Sequence, residues 1–287
     1  MASYVPVQLA FDSIEPDGCD ADKAPVIFLH GVTASRVYWD DIPQTVANTL
    51  KRKVYAIDAR NHGDSEWSDV FNFDSNVDDL LHFMDRIGAP KAILVGHSMG
   101  GITAIKTALR APERVEKLVI EDISGKKDSL PQEKLNPVVY FLNLALTAIQ
   151  KIPEGEEEEK AKTFILDFLF KFLPPEIKNH TNKEQMMKRI QLIRTADGKY
   201  SFKGNTQVVM RALKDAETIM TEPTGLYEGP AYFLYGKLSP LNVPSDEAFI
   251  KNLFPNSKLF GFENATHGIH SDCPKEFTET VLNFLQE

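Results

Sequence analysis

The feature that most constrains this chain is a tight turn between a buried strand and a helix. The segment AILVGHSMGGITAIKTAL places residues 96–100, Gly-His-Ser-Met-Gly, directly after an apolar run and directly before a helical run. Because glycine has no Cβ, both ends of the turn can pack closely and hold the Ser98 hydroxyl exposed. A Gly-x-Ser-x-Gly match in this context predicts a nucleophilic serine at one edge of an α/β sheet.

Short apolar runs bounded by Gly, Asp or Pro recur along the chain, at residues 24–29, 53–57, 92–95, 117–120, 231–235 and 257–262. Runs that do not alternate with polar residues are typical of parallel strands buried on both faces. Helical patterns lie between them, as at residues 74–87, where Asp74 and Ser75 are candidate caps and Gly88 follows the last periodic residue. This alternation predicts an α/β fold with a doubly wound, mostly parallel sheet.

The alternation stops between residues 124 and 225, where the sequence has helical patterns and no convincing strand. Candidate helices cover residues 133–151, 156–173, 183–195 and 206–219. The acidic residues 156–159 are typical of a solvated helix N-terminus. We therefore expect residues 1–123 and 226–287 to form one α/β core, with residues 124–225 inserted as a helical cap.

Composition excludes several classes of protein. Hydrophobic residues make up 43% of the chain and charged residues 25%, which is the balance of a globular protein rather than a disordered or fibrous one. The formal net charge of -9 repels phosphate backbones, so we expect no nucleic-acid partner. Cys19 and Cys273 match neither a metal-ligand spacing nor a disulfide framework, which favours two reduced thiols.

The N-terminal residues predict an intracellular protein. They contain no basic stretch followed by an apolar one, and Asp12, Glu15 and Asp17 stand where a mitochondrial presequence would be rich in arginine. The longest apolar stretch, residues 138–149, is shorter than the roughly 20 residues that cross a bilayer. We expect no membrane span, although this part of the cap could contact a lipid surface transiently.

A nucleophilic serine needs a base, and in the chain order serine, acid, histidine the base comes last. His267 follows the last predicted strand and precedes a glycine that lets its loop turn toward the serine. His270 comes three positions later and is expected on the surface. The sequence therefore predicts His267 as the general base.

The acid that orients His267 has more than one candidate. The loop after residues 231–235 is its usual place, but Ser239 stands there where a carboxylate is expected. Asp122 follows the preceding parallel strand, at the edge of the sheet where ligands and catalytic groups collect. Asp246 and Glu247 fit the first turn of a helix, and Glu121 is a further candidate. Asp122 is favoured, with these others left open.

An oxyanion hole for the tetrahedral intermediate is predicted from two main-chain N–H groups. The first belongs to Met99, the residue after the nucleophile, and the second to Val32, in the loop after the first long apolar strand. His30 and His97 are weaker candidates for lining a substrate pocket. The loop at residues 58–65 is expected mainly to brace the neighbouring oxyanion turn.

The motifs FLHGVTAS, DARNHGDS, VGHSMGG and NATHG occur in that order, and with them the chain resembles the α/β-hydrolase superfamily over nearly its full length. Within it, the chain is similar to a branch of animal mitochondrial proteins and small bacterial acyl esterases. The resemblance implies an eight-stranded, mostly parallel sheet, hydrolysis of acyl esters or thioesters such as acylglycerols, and a mitochondrial location, with the cytosol as the alternative. It also implies that the acid is Asp122.

Together these residues predict a serine hydrolase in which Ser98 attacks an ester carbonyl, His267 takes its proton and Asp122 holds the imidazole. No metal or organic cofactor is expected, the partner is a small acyl ester or lipid, and the chain is a monomer or a homodimer. One alternative is a C–C bond hydrolase of the same fold, against which Ser239 counts. Another is a non-catalytic ligand-binding or scaffold protein on a hydrolase fold, because fold alone does not fix function.

Overall fold

The computed structural model describes residues 5–173, 178 and 182–287. Its main sheet has the strand order β1-β3-β2-β4-β5-β8-β9, and a separate two-stranded sheet pairs β6 with β7. The strands are β1 (Phe11–Ile14), β2 (Val26–Leu29), β3 (Val54–Ile57), β4 (Ala92–His97), β5 (Val115–Glu121), β6 (Leu192–Arg194), β7 (Tyr200–Phe202), β8 (Ala231–Gly236) and β9 (Ser257–Phe262). The main sheet thus has seven strands in the described part of the chain, where the resemblance implies eight.

Helices cover both faces of this sheet and the segment between β5 and β8. They are α1 (Ile42–Leu50), α2 (Phe73–Arg86), α3 (Met99–Arg110), α4 (Gln132–Ile149), α5 (Glu158–Phe172), α6 (Lys183–Arg189), α7 (Thr206–Leu213), α8 (Ala216–Ile219), α9 (Glu247–Leu253), α10 (Ile269–Asp272) and α11 (Pro274–Gln286). At the start of α2 the side chain of Asn72, rather than Asp74 or Ser75, accepts the N–H of Ser75 and caps the helix.

The main sheet is parallel except at β1, which pairs antiparallel with β3. β2 and β3 are buried along their whole length, as their unbroken apolar runs predict. Neighbouring side chains of these strands point to opposite faces, so each strand contributes to two separate hydrophobic clusters, one on each side of the sheet. The predicted doubly wound α/β architecture is therefore confirmed.

The segment between β5 and β8, which we call the insertion, contains α4 to α8 and also a β-hairpin. The prediction that it has no strand is wrong, because β6 and β7 pair antiparallel from Leu192 to Phe202. The turn residue Gly198 has a φ of +81°, a conformation that favours glycine and folds the chain back on itself. The helix expected over residues 183–195 consequently ends at Arg189. Part of its surroundings, residues 174–177 and 179–181, lies outside the described residues.

The apolar stretch at residues 138–149 forms most of α4, and its inward side chains pack inside the protein. Val139 and Leu142 join the cluster on one face of the main sheet, while Ala145 and Ala148 join a third cluster built from α4, α5 and the hairpin. Within the described ranges, the helices fall short of the length and hydrophobicity that crossing a membrane requires.

Candidate active site

Ser98 lies in a strained turn between β4 and α3. Its φ of 52° and ψ of -112° are sparsely populated for a residue with a side chain. The flanking glycines make this turn possible: a Cβ on Gly96 would lie 2.4 Å from the carbonyl oxygen of Gly100, and a Cβ on Gly100 would lie 2.1 Å from that of Leu29. The main chain therefore requires glycine at both ends, as the motif predicts.

Asp122 follows directly on β5 and is fully buried beside His267. Its Oδ2 lies 2.8 Å from His267 Nδ1, which must carry the proton of this hydrogen bond, so the neutral ring can accept a proton at Nε2. Oδ2 also accepts the hydroxyl of Ser239, and Oδ1 accepts the N–H of Gly236 at 3.0 Å. Three donors thus satisfy a carboxylate whose backbone has a positive φ of 53°.

The remaining acid candidates make other contacts. Asp246 is buried and accepts the hydroxyls of Ser124 and Ser129, and its carboxylate lies 3.5 Å from Nζ of Lys126. It directly precedes α9, where Glu247 is the first residue, and its side chain makes no capping hydrogen bond to that helix. Ser239, at the place where an acid was expected, donates to Asp122 instead. Among the candidates in the described residues, only Asp122 is hydrogen-bonded to His267.

Ser98 and His267 both border two cavities. The large cavity, about 790 Å³, is bordered by Val32, Met99 and many apolar side chains of α3, α4 and α8. The small cavity, about 450 Å³, is also bordered by Val32, and its other lining residues include Arg189 and Asp272. The structure therefore brings the predicted serine, histidine and both oxyanion residues to one place.

Two main-chain N–H groups of residues beside Ser98 and His267 have no hydrogen-bond acceptor within the described part of the protein. In the described part of the chain, neither the N–H of Val32 nor that of Met99 donates a hydrogen bond to a protein acceptor. The N–H groups on either side of Met99 do have partners: Ser98 N donates to Glu121 O at 3.1 Å, and Gly100 N donates to His30 O at 3.1 Å. Free N–H groups beside a nucleophile can accept a developing negative charge.

His97, the first of the weaker pocket candidates, borders the small cavity and contacts the loop that carries His267. Its Nε2 donates to the main-chain oxygen of His267 at 2.9 Å. Burial lowers the pKa of His97 to about 3, so the ring is neutral at physiological pH. It therefore holds the His267 loop without adding a charge.

His30, the second weaker candidate, borders neither cavity in the described residues. Its Nδ1 donates to Gly31 O at 2.7 Å and its Nε2 accepts the N–H of Ala59 at 3.0 Å. Burial, helped by the neighbouring His62, lowers its pKa to about 3. The ring thus links the Val32 loop to the loop after β3.

The loop at residues 58–65 braces the Val32 turn, as expected. His62 Nε2 lies 2.7 Å from the main-chain oxygen of Val32, and Asp58 accepts the N–H of Arg36 at 2.7 Å. Asp58 is fully buried and also pairs with the Arg36 guanidinium. These bonds fix the turn without placing the loop against the reacting groups.

His270 corrects an expectation, because it is buried rather than on the surface. Only 3% of it is exposed, and its Nδ1 lies 2.8 Å from both carboxylate oxygens of Glu121. Burial raises the pKa of Glu121 to about 7 and lowers that of His270 to about 3. Local sequence could not signal this pairing, because Glu121 and His270 are 149 positions apart in the chain.

His97, Glu121 and His270 are also the described residues that could hold a metal ion. One ligand atom from each lies within 4.8 Å of the others, and all three are buried. Glu121 and His270 are hydrogen-bonded to each other, and His97 is bonded to the main-chain oxygen of His267, so all three already have structural contacts.

The chain is similar to known proteins of one fold family. Residues 24–274 match the protein family described as alpha/beta hydrolase fold. The chain is 33% identical to the zebrafish (Danio rerio) protein named sn-1-specific diacylglycerol lipase ABHD11, over 100% of this chain and 85% of that one. It is 30% identical to the mouse (Mus musculus) protein of the same name, over 99% and 87%. A solved marine microorganism esterase superposes with a TM-score of 0.77 at 28% identity, covering 97% of this chain and 99% of that one.

Proposed function

Because the chain belongs to the alpha/beta hydrolase fold family, we propose that it is a carboxylic ester hydrolase with Ser98, His267 and Asp122 as its catalytic triad. The observation that carries the proposal is the 2.8 Å bond from His267 Nδ1 to the buried carboxylate of Asp122, with Ser98 and His267 bordering the same cavities. The lipase and esterase names of the similar proteins support the same reaction class.

The reaction has two steps. His267 Nε2 accepts the hydroxyl proton as Ser98 attacks the ester carbonyl, and the oxyanion receives hydrogen bonds from the N–H groups of Val32 and Met99. The protonated imidazole gives its proton to the leaving alcohol, which leaves an acyl group on Ser98. His267 then activates a water molecule that releases the acid and restores the serine.

The lining of the large cavity supports an apolar acyl substrate. Phe71, Phe73, Ile102 and Ile123 border it near Ser98, so it suits the apolar chain of an acyl ester or lipid. Side chains of the insertion, including Leu135 and Leu213, close its other side. We infer that residues 124–225 act as a cap that selects the acyl chain. An intracellular location, in mitochondria or the cytosol, and a monomeric or dimeric state stay predictions from the sequence.

The test compares Ser98→Ala with Ser245→Ala. Ser98→Ala should abolish turnover of p-nitrophenyl butyrate and labelling by a fluorophosphonate probe. Ser245, an exposed serine that donates to Asn242 O, is a matched control whose replacement should change neither. Undiminished labelling of the Ser98→Ala protein would overturn the proposal.

A further inference from the structure

We propose that the small cavity binds a carboxylate group on the alcohol portion of the ester substrate, and that Arg189 is the residue that binds it. This inference rests on the proposed ester hydrolase function and names a substrate feature that the catalytic residues do not determine. It depends on the position of Arg189, on the partners of its guanidinium and on the other charges around the cavity.

Arg189 is the last residue of α6, and its side chain borders the small cavity together with Ser98 and His267. Its Nη2 lies 4.0 Å from the point that a Cβ on Gly268 would occupy. Since Gly268 is next to His267 in the chain, the guanidinium lies beside the loop that carries the base. A molecule that binds Arg189 in this cavity can therefore also reach Ser98.

The guanidinium of Arg189 has few hydrogen-bond acceptors within the described part of the protein. In the described part of the chain its hydrogen-bond acceptor is the hydroxyl of Tyr38, whose ring centroid lies 3.9 Å from Cζ. Nε is buried with no partner, and no described carboxylate lies within 4 Å of any of its nitrogens. Burial lowers the pKa of Arg189 only to about 10, so the group remains charged at neutral pH.

Arg60, a buried arginine with a structural role, offers a comparison with Arg189. It bonds both oxygens of the buried Asp79, at 2.6 and 2.8 Å, in the two-pronged geometry that guanidinium and carboxylate share. Arg189 lacks such a carboxylate among the described residues and faces a cavity instead. A bound carboxylate would supply the missing acceptor.

Asp272 is an acidic residue that borders the small cavity together with Arg189. Its Oδ2 accepts the N–H and the hydroxyl of Thr266, at 2.7 and 2.6 Å, and its charge raises the pKa of Arg189 from a distance. The two side chains are not within ion-pair distance. Asp272 should therefore weaken the binding of an anion without abolishing it.

Among the described Asp, Glu, Lys and Arg residues, Arg189 and Asp272 border the small cavity, so one guanidinium is available to bind an anion. Gln185 and Ser271 are neutral, and both border the small cavity with Arg189. One guanidinium suits a carboxylate, whereas a phosphate group with two charges commonly recruits more than one cation. Because the large cavity suits the acyl chain, the carboxylate belongs on the opposite side of the ester bond, in the alcohol.

The first experiment compares 4-butyryloxybenzoate with the neutral 4-butyryloxybenzamide, which has nearly the same shape. The protein should prefer the acid in kcat/KM, and Arg189→Met should lower the ratio of acid to amide about tenfold, as loss of a charged hydrogen bond does. Arg189→Lys should recover part of this ratio, and Asp272→Asn should raise it. An unchanged ratio in Arg189→Met, or a preference for the amide, would overturn the inference.

A second measurement does not depend on turnover. The Ser98→Ala protein should bind free 4-hydroxybenzoate in a calorimetric titration, and the double variant with Arg189→Met should bind it at least tenfold more weakly. Equal binding by the two proteins would overturn the anion site. Failure of both esters to react, with this difference in binding intact, would instead count against the proposed hydrolase function.

Discussion

The sheet edge that carries Ser98 and the insertion differ in how their residues are held. At the edge, main-chain contacts fix the geometry: Ser98 N donates to Glu121 O, Asp122 N donates to Leu234 O, and both residues have positive φ values. In the insertion, side chains such as Ile165 and Leu169 pack into a cluster of their own. Ser98 and Asp122 are thus positioned by the backbone, while the insertion that borders the large cavity is held together by side chains.

The largest effect is expected from a variant at the sheet edge that removes the charge beside His267. Asp122→Asn should lower kcat about 1,000-fold to 10,000-fold, because the imidazole loses the partner that fixes its tautomer and stabilises its protonated form. Steady-state kinetics with p-nitrophenyl butyrate measures this loss. Asp246→Asn should retain most of kcat, and the reverse pattern would move the acid to the start of α9.

A second comparison adds one methyl group to each region. Gly100→Ala should lower the free energy of unfolding by about 3 kcal/mol or more, because the new Cβ would lie 2.1 Å from the Leu29 carbonyl oxygen. Gly155→Ala, between α4 and α5, has open space around its Cβ and only an unfavourable φ of +77°, so it should cost about 1 kcal/mol. Urea unfolding measures both, and equal losses would contradict the comparison.

If Asp122 is the acid, we expect Ser239 to position it, and the removal of Ser239 should have a smaller effect. Ser239→Ala deprives Asp122 of one of its three donors, so kcat should fall about tenfold while KM changes little. Ser245→Ala serves again as the control. A change confined to KM, or to thermal stability, would show that Ser239 does not act through the triad.

The buried histidines of the sheet edge should make stability depend on pH. The pKa of His270 is about 3 in the folded protein against an ordinary 6.5, so unfolding takes up a proton between these values and stability falls as pH drops below 6.5. His97 acts in the same direction, and Glu121, with its raised pKa, opposes it between its ordinary value and about 7.

His270→Gln should accordingly reduce the rise of unfolding free energy between pH 4.5 and 6 by up to about 1.4 kcal/mol per pH unit. Urea unfolding at a series of pH values measures this slope. A slope equal to that of the unchanged protein would show that His270 is not held neutral by burial.

The same difference between the two regions explains what the sequence could predict. The elbow around Ser98 has a local signature, because its glycines are demanded by contacts within a few residues or with a neighbouring strand. The hairpin β6–β7 and the burial of His270 depend on packing between distant parts of the chain, which periodicity does not report. The contact of Arg189 with Tyr38 joins residues 151 positions apart.

The sequence drew attention to Ser239 but did not reveal its contact. Its position after β8 suggested a missing acid, and the sequence alone could not tell that the side chain supports the acid of the neighbouring strand. Parallel strands β5 and β8 are paired, so Asp122 and the loop after Gly236 end at the same edge of the sheet. That adjacency is a property of strand order rather than of local sequence.

Covalent trapping identifies the nucleophile, which we propose is Ser98. The protein is treated with a fluorophosphonate, digested, and analysed by tandem mass spectrometry to find the modified side chain. The account predicts one phosphonylated residue, Ser98, and loss of ester hydrolysis in proportion to the label. A modified residue other than Ser98, or full modification with hydrolysis intact, would contradict it.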